Sequence, residues 1–263
     1  MIEYFTYWYL FPVSIIIAIL AMSAGISGSN FWIPVYLIWL KIDPKTGFWL
    51  ALLTMIFGFG SGVVKNVKQK TINWYIVKQY LTITIPAGIC GTLLVPFAPA
   101  QVLIIIFASF VFIYGSSTIY RYYNARAEDV ESHETIYWTR AALAGFLKGL
   151  IATGLGKLIL PGILGHKKIQ SPAEAVGSTI AIIFVVNIVA VLFRLNASFI
   201  TVLSLQAHTI LNILIWVAPG VLIGGQIGPA IAKRLPFLYM KVYVGVVLIL
   251  VSMLMFIRAF TLF

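Results

Sequence analysis

Two lysines stand apart from the other cations of this chain. Of its 18 Lys and Arg residues, all but Lys148 and Lys157 fall in short loops or at the ends of apolar runs. A charge inside a run long enough to cross a bilayer is costly and marks a candidate site; the alternative is that each long stem snorkels to the interface. Lys157 directly follows Thr153-Gly154-Leu155-Gly156, and the first half of the chain has a comparable small-residue run, Ser27-Gly28-Ser29-Asn30. A helix interrupted at such a run leaves N–H groups unpaired where its second arm begins, and these attract an anion together with the positive dipole end. Glycine lets the ligand approach that backbone closely. Ser27, Gly28, Ser29, Asn30, Thr153, Gly154, Gly156 and Lys157 therefore describe an anion pocket, against the reading that the small residues merely allow close helix packing.

The remaining reactive side chains are few. The chain has 7 carboxylates and none falls in the middle of an apolar run, so a buried hydrolytic dyad or a proton-relay chain has no support. Glu174 is first a capping-box residue and second a gating or coupling candidate, beside Lys148. His208 opens an apolar run that also holds Asn212 and Trp216, where it could titrate in a vestibule. Pro86 and Pro219 sit inside equivalent runs and are candidate kinks, because proline removes a helix hydrogen bond. The single cysteine, Cys90, excludes an intrachain disulfide and a multi-cysteine metal site. Gly154-Leu155-Gly156-Lys157 does not have the spacing of a phosphate-binding loop. No enzyme chemistry, cofactor or metal is expected.

The elements that must position these residues are membrane helices. Hydrophobic residues make up 61% of the chain and charged ones 10%, against about 25% charged in soluble domains; mean hydropathy is +1.02. The expected partners are the lipid bilayer and a small anion, with a homo-oligomer left open. The net charge of +11 is spread over loops, a positive-inside pattern and not the clustered face of a nucleic-acid binder. The start Met1-Ile2-Glu3 has no basic region or cleavage site, so the first apolar segment is expected to be retained.

Repetition organises the chain. Small residues precede proline in 25–34 and again in 153–161. Helix starts follow at Asp43-Pro44 and at Ser171-Pro172 with Glu174, each a capping side chain with proline at the first helical position. Pro86-Ala87-Gly88-Ile89-Cys90-Gly91 then parallels Pro219-Gly220-Val221-Leu222-Ile223-Gly224. The apolar stretch 4–42 would run to almost 60 Å as one helix, about twice the hydrocarbon core, so it must turn back. The expected fold is an all-α polytopic membrane protein of two inverted repeats, each a broken-helix hairpin followed by three transmembrane helices. Residues 1–121 form the first repeat (hairpin 4–42, spans 46–64, 74–95 and 102–120), 122–138 a polar linker, and 139–263 the second (hairpin 139–166, spans 172–194, 207–232 and 240–263). Folded this way, Lys65, Lys68, Lys70, Lys78, Arg121, Arg126, Arg140, Lys167, Lys168, Lys233, Arg234 and Lys241 share one side. Only Lys41, Lys45, Arg194 and Arg258 take the other. The asymmetry places both termini outside the cytoplasm.

On these features the chain resembles the sulfite exporter TauE/SafE family, also called the toluene sulfonate uptake permease family. The resemblance rests on the two breaks before proline, on Ser171-Pro172-Ala173-Glu174-Ala175-Val176-Gly177-Ser178-Thr179, and on the run 219–228, and it covers nearly the whole chain. It departs from the family at Ser27 and Ser29, where glycine runs are often found, and in carrying Lys157 directly after the second break. The resemblance implies a secondary transporter of sulfite or an organosulfonate, coupled to an ion gradient. The residues alone reach only a small anion, and leave open an anion channel without alternating access or a different anion.

Overall fold

Helix-starting chemistry is where the sequence pattern puts it. Asp43 Oδ2 accepts from the N–H groups of Lys45 (3.0 Å) and Thr46 (3.3 Å), and Ser171 Oγ accepts from Glu174 N at 3.2 Å. In each case proline occupies the first turn, where its missing N–H costs nothing. Asn73 and Asn196 cap two further helices through Ile76 N and Phe199 N.

The computed structural model describes residues 5–24, 27–123, 135–232 and 237–261. Among these the chain is all-helical: α1 (Leu10–Ala24), α2 (Ser29–Pro34, continuing as a π-helical turn over Val35–Trp39), α3 (Pro44–Lys68), α4 (Trp74–Leu94), α5 (Ala100–Tyr123), α6 (Trp138–Ile151), α7 (Leu155–Leu164), α8 (Pro172–Phe193), α9 (Ala197–Leu205), α10 (Ala207–Ala232) and α11 (Phe237–Phe260). Short α9 falls where the sequence suggested only an outward loop. Residues 124–134 of the polar linker, Gly25 and Ile26 of the first break, and Lys233 and Arg234 lie outside the described residues.

Helices α3, α5, α8, α10 and α11 are long and apolar enough to cross a membrane. Helix α4, of 21 residues, matches them in length but is less apolar, with Lys78 and Gln79 in its second turn. The outward surface carries apolar side chains such as Ile113, Leu143, Leu222, Leu250 and Ile257, as a lipid-facing surface must when no water is there to be excluded.

The two broken stretches do turn back. The ring of Trp39, at the end of the π-helical turn, stacks on Tyr9 beside the start of α1, with centroids 5.3 Å apart. Gly162 near the end of α7 lies against the ring of Tyr137, which precedes α6. Helix α6 has 14 residues and α7 has 10, about 21 and 15 Å at 1.5 Å per residue, so each arm stops short of a hydrocarbon core of about 30 Å.

Around the hairpins the contacts are reciprocal. Helix α1 packs on α10 and α6 on α4; α3 packs on α8 and α5 on α11; α4 also meets α8, as α10 meets α3. Exchanging α1 with α6, α3 with α8, α4 with α10 and α5 with α11 carries each of these six pairs onto another of the six or onto itself. Glycines set the close approaches. A methyl on Gly149 would meet the carbonyl oxygen of Gly88, one on Gly91 that of Phe146, and one on Gly224 that of Ile15 at 2.5 Å. Without a hydrophobic force between helices in lipid, such backbone contact is a principal source of cohesion.

Candidate functional site

The second break is built from three residues with distinct backbone roles. Ala152 ends α6 in the left-handed region (φ 60°), its N–H closing on Lys148 O. Gly154, at φ 97°, then starts α7 in a conformation that side-chain-bearing residues rarely adopt. No side chain caps α7. Its first internal bond runs from Leu158 N to Gly154 O at 3.2 Å, which leaves the N–H groups of Leu155, Gly156 and Lys157 without helical acceptors.

The first break meets the second. Thr153 Oγ1 donates to Asn30 Oδ1 at 2.6 Å, and both residues are fully buried. Ser27 and Ser29 share a hydroxyl bond of 2.7 Å next to Asn30, and Gly28 sits against the thioether of Met55. Gly154 rests on the Phe110 ring and Gly156 on Ile183 of α8. Of the eight pocket residues expected from sequence, Asn30 and Thr153 are thus in direct contact, with the other break residues beside them in the chain.

What these breaks lack is acceptors. Among the described residues, Asn30 Nδ2, Trp32 Nε1 and Lys157 Nζ are buried N–H donors without a hydrogen-bond partner. Each orphaned buried donor costs about 1–3 kcal/mol and calls for an explanation. The Lys157 ammonium lies over the Tyr114 ring of α5, 2.9 Å from its centroid, an attraction that offsets part of the cost of burying it.

The other candidates are placed differently. Lys148 is buried, 1% exposed, yet its Nζ donates to Ala152 O at 2.8 Å, closing the carbonyl end of its own helix. Glu174 accepts from Gln170 N (2.7 Å) and from Asn73 Nδ2 (3.0 Å), tying the α3–α4 turn to the start of α8. His208 is exposed, with Nδ1 3.3 Å from Asn212 Nδ2. Pro86 and Pro219 both lie on outward faces, and α4 and α10 run through them unbroken.

Two residues were missed by reading the sequence. Arg194 is only 4% exposed, although its position after α8 suggested an interfacial charge. Its Nη2 donates to Gly149 O (2.6 Å) and Leu150 O (3.0 Å) at the end of α6. Asn187 is fully buried in α8 and both its side-chain polar atoms lack partners. It follows Ile183, the neighbour of Gly156, by one turn on the same face. An amide in the middle of an otherwise apolar run was the available signal.

A family model described as sulfite exporter TauE/SafE matches residues 10–255. The chain belongs to this family. No curated protein and no solved structure matches it. As a TauE/SafE protein it is a multi-pass integral protein of the cell membrane and a transporter of the sulfite-exporter type, not an enzyme.

Proposed function

We propose that this TauE/SafE protein is a secondary transporter of a small sulfur-containing anion, sulfite or an organosulfonate, driven by an ion gradient, with the substrate held where the two breaks meet. The observation that carries the reading is the Asn30–Thr153 bond, which joins breaks 123 residues apart amid buried N–H donors that have no protein acceptor. A sulfur oxyanion offers only acceptors, so it complements that set where a cation or an apolar solute does not. The uncapped start of α7 adds backbone N–H groups of the same polarity. Asn187, level with the break along α8, supplies a further amide. Ser27, Gly28, Ser29, Gly154, Gly156 and Lys157 complete the pocket in this reading.

The reciprocal helix contacts support an inverted pair of repeats, with one hairpin dipping in from each face and both breaks near the midplane, as in other repeat-built carriers. Rocking one half against the other would expose the breaks to each side in turn.

Thermal unfolding of the purified protein with sulfite, sulfate, thiosulfate, sulfoacetate and chloride tests the substrate class. A ligand binding the folded state alone stabilises it by about 2.7 kcal/mol at 100 times its Kd. Sulfite or sulfoacetate should raise the transition and chloride should not, and Asn30→Ala should reduce the rise. An equal rise with chloride, or one that Asn30→Ala leaves undiminished, would remove the break site from consideration.

A further inference from the structure

A second cluster of cations faces a different space. At the end of the bundle where α3 and α9 begin and α4 and α8 end, a pocket of about 190 Å³ is lined by Asp43, Lys45, Arg194, Asn196, Ser198 and Phe199, among others. Its volume corresponds to several waters at about 30 Å³ each, enough for a small oxyanion with part of its hydration shell. Arg194 reaches it from a buried position. Nη2 is committed to the α6 carbonyls, while Nε and Nη1 are buried with no partner. Lys45 Nζ uses one donor on Pro96 O at 2.7 Å and has two left. Asp43 is the opposing charge, and its Oδ2 is already engaged by two backbone N–H groups at the start of α3. Two cations therefore line the pocket with one carboxylate whose acceptor capacity is partly spent.

We infer that this pocket is a second anion-binding site, a vestibule that holds a small inorganic oxyanion on Arg194 and Lys45 before or after it occupies the breaks. The guanidinium spans the two regions: it lines the pocket and grips the last turn of α6, whose next residues are Ala152, Thr153 and Gly154. Arg194 thus joins the pocket to the helix that ends at the second break. The inference rests on the proposed function for sulfite as the probe and for the breaks as the other site.

The test is calorimetric titration of the purified full-length protein with sulfite, with chloride as control. The parent should bind two sulfites per chain. Lys45→Gln, which alters a part-exposed side chain, should weaken one of these sites by about fivefold or more and leave the other unchanged. Arg194→Lys should do the same while still reaching the α6 carbonyls, and its melting transition reports whether that cap survives. Asn30→Ala should remove the other site and leave this one. If Lys45→Gln and a folded Arg194→Lys titrate as the parent does, or if the parent binds a single sulfite that only Asn30→Ala affects, the vestibule site is wrong. Loss of binding in Lys45→Gln with none in Asn30→Ala would instead overturn the break site and uphold the vestibule. No binding by the parent up to about 10 mM sulfite would count against both.

Discussion

Replacing Lys157 by methionine should raise the stability of the protein and weaken its anion binding at the same time. The ammonium is buried, and among the described residues it has no hydrogen-bond partner and lies over the Tyr114 ring. Placing a lysine at the centre of a membrane helix costs about 3 kcal/mol on insertion scales, and a desolvated cation–π contact returns about 2 kcal/mol. Methionine keeps the length of the stem, retains a favourable contact with the ring and deletes the charge, so the variant should gain on the order of 1 kcal/mol. If the ammonium also holds the substrate, removing it should cost at least about tenfold in sulfite affinity, or 1.4 kcal/mol. The assay is paired: thermal unfolding in detergent without ligand, then sulfite titration by calorimetry. Opposite signs in the two measurements would identify a residue kept for function at the expense of stability. A methionine variant that melts lower and binds sulfite as tightly as the parent would show that Lys157 is a packing element held by Tyr114, leaving the pocket to Asn30, Thr153 and the backbone of α7.

Two further outcomes are expected. Gly149→Ala should destabilise the protein by about 1–3 kcal/mol, because the added methyl would drive into the Gly88 carbonyl and the Thr92 hydroxyl; an unchanged melting curve would mean that α4 and α6 are not in backbone contact. In a Cys90→Ser background, a single cysteine at position 43 should react with an impermeant thiol reagent in intact cells and those at 68 and 128 should not, and the reverse pattern would refute the inverted orientation.

Much of the fold could be read from local chemistry. Asp43-Pro44 and Ser171-Pro172 carry their own helix starts, so the onsets of α3 and α8 needed no tertiary information. The breaks were legible for a similar reason, since small residues a few positions before proline are hard to accommodate in an uninterrupted span. That Asn30 would meet Thr153 was legible only through the repeat. Arg194 was not legible, because a basic residue at the end of an apolar run ordinarily turns to water. Here the exposed carbonyls of α6, a helix 45 residues earlier in the chain, lie within its reach and turn it inward. Lys148 had the opposite outcome. Its partner is the carbonyl four residues on, a contact available only because α6 stops at Ile151 and the chain turns left-handed at Ala152. Short α9 was hidden by the length of the apolar run around it, and its Asn196 cap was the overlooked signal.

The double closure of α6 by Lys148 and Arg194 bears on how the chain enters the membrane. As it leaves the ribosome, the segment from Trp138 to Leu164 is two short arms with a lysine in each and a run of exposed carbonyls between them. Neither arm is long enough to partition into lipid as a stable span. The guanidinium that neutralises those carbonyls arrives only after the whole of α8 has been synthesised, 43 residues after the end of α6 at Ile151 reaches Arg194. The closure of α6 by Arg194 is therefore completed only once α8 has been made.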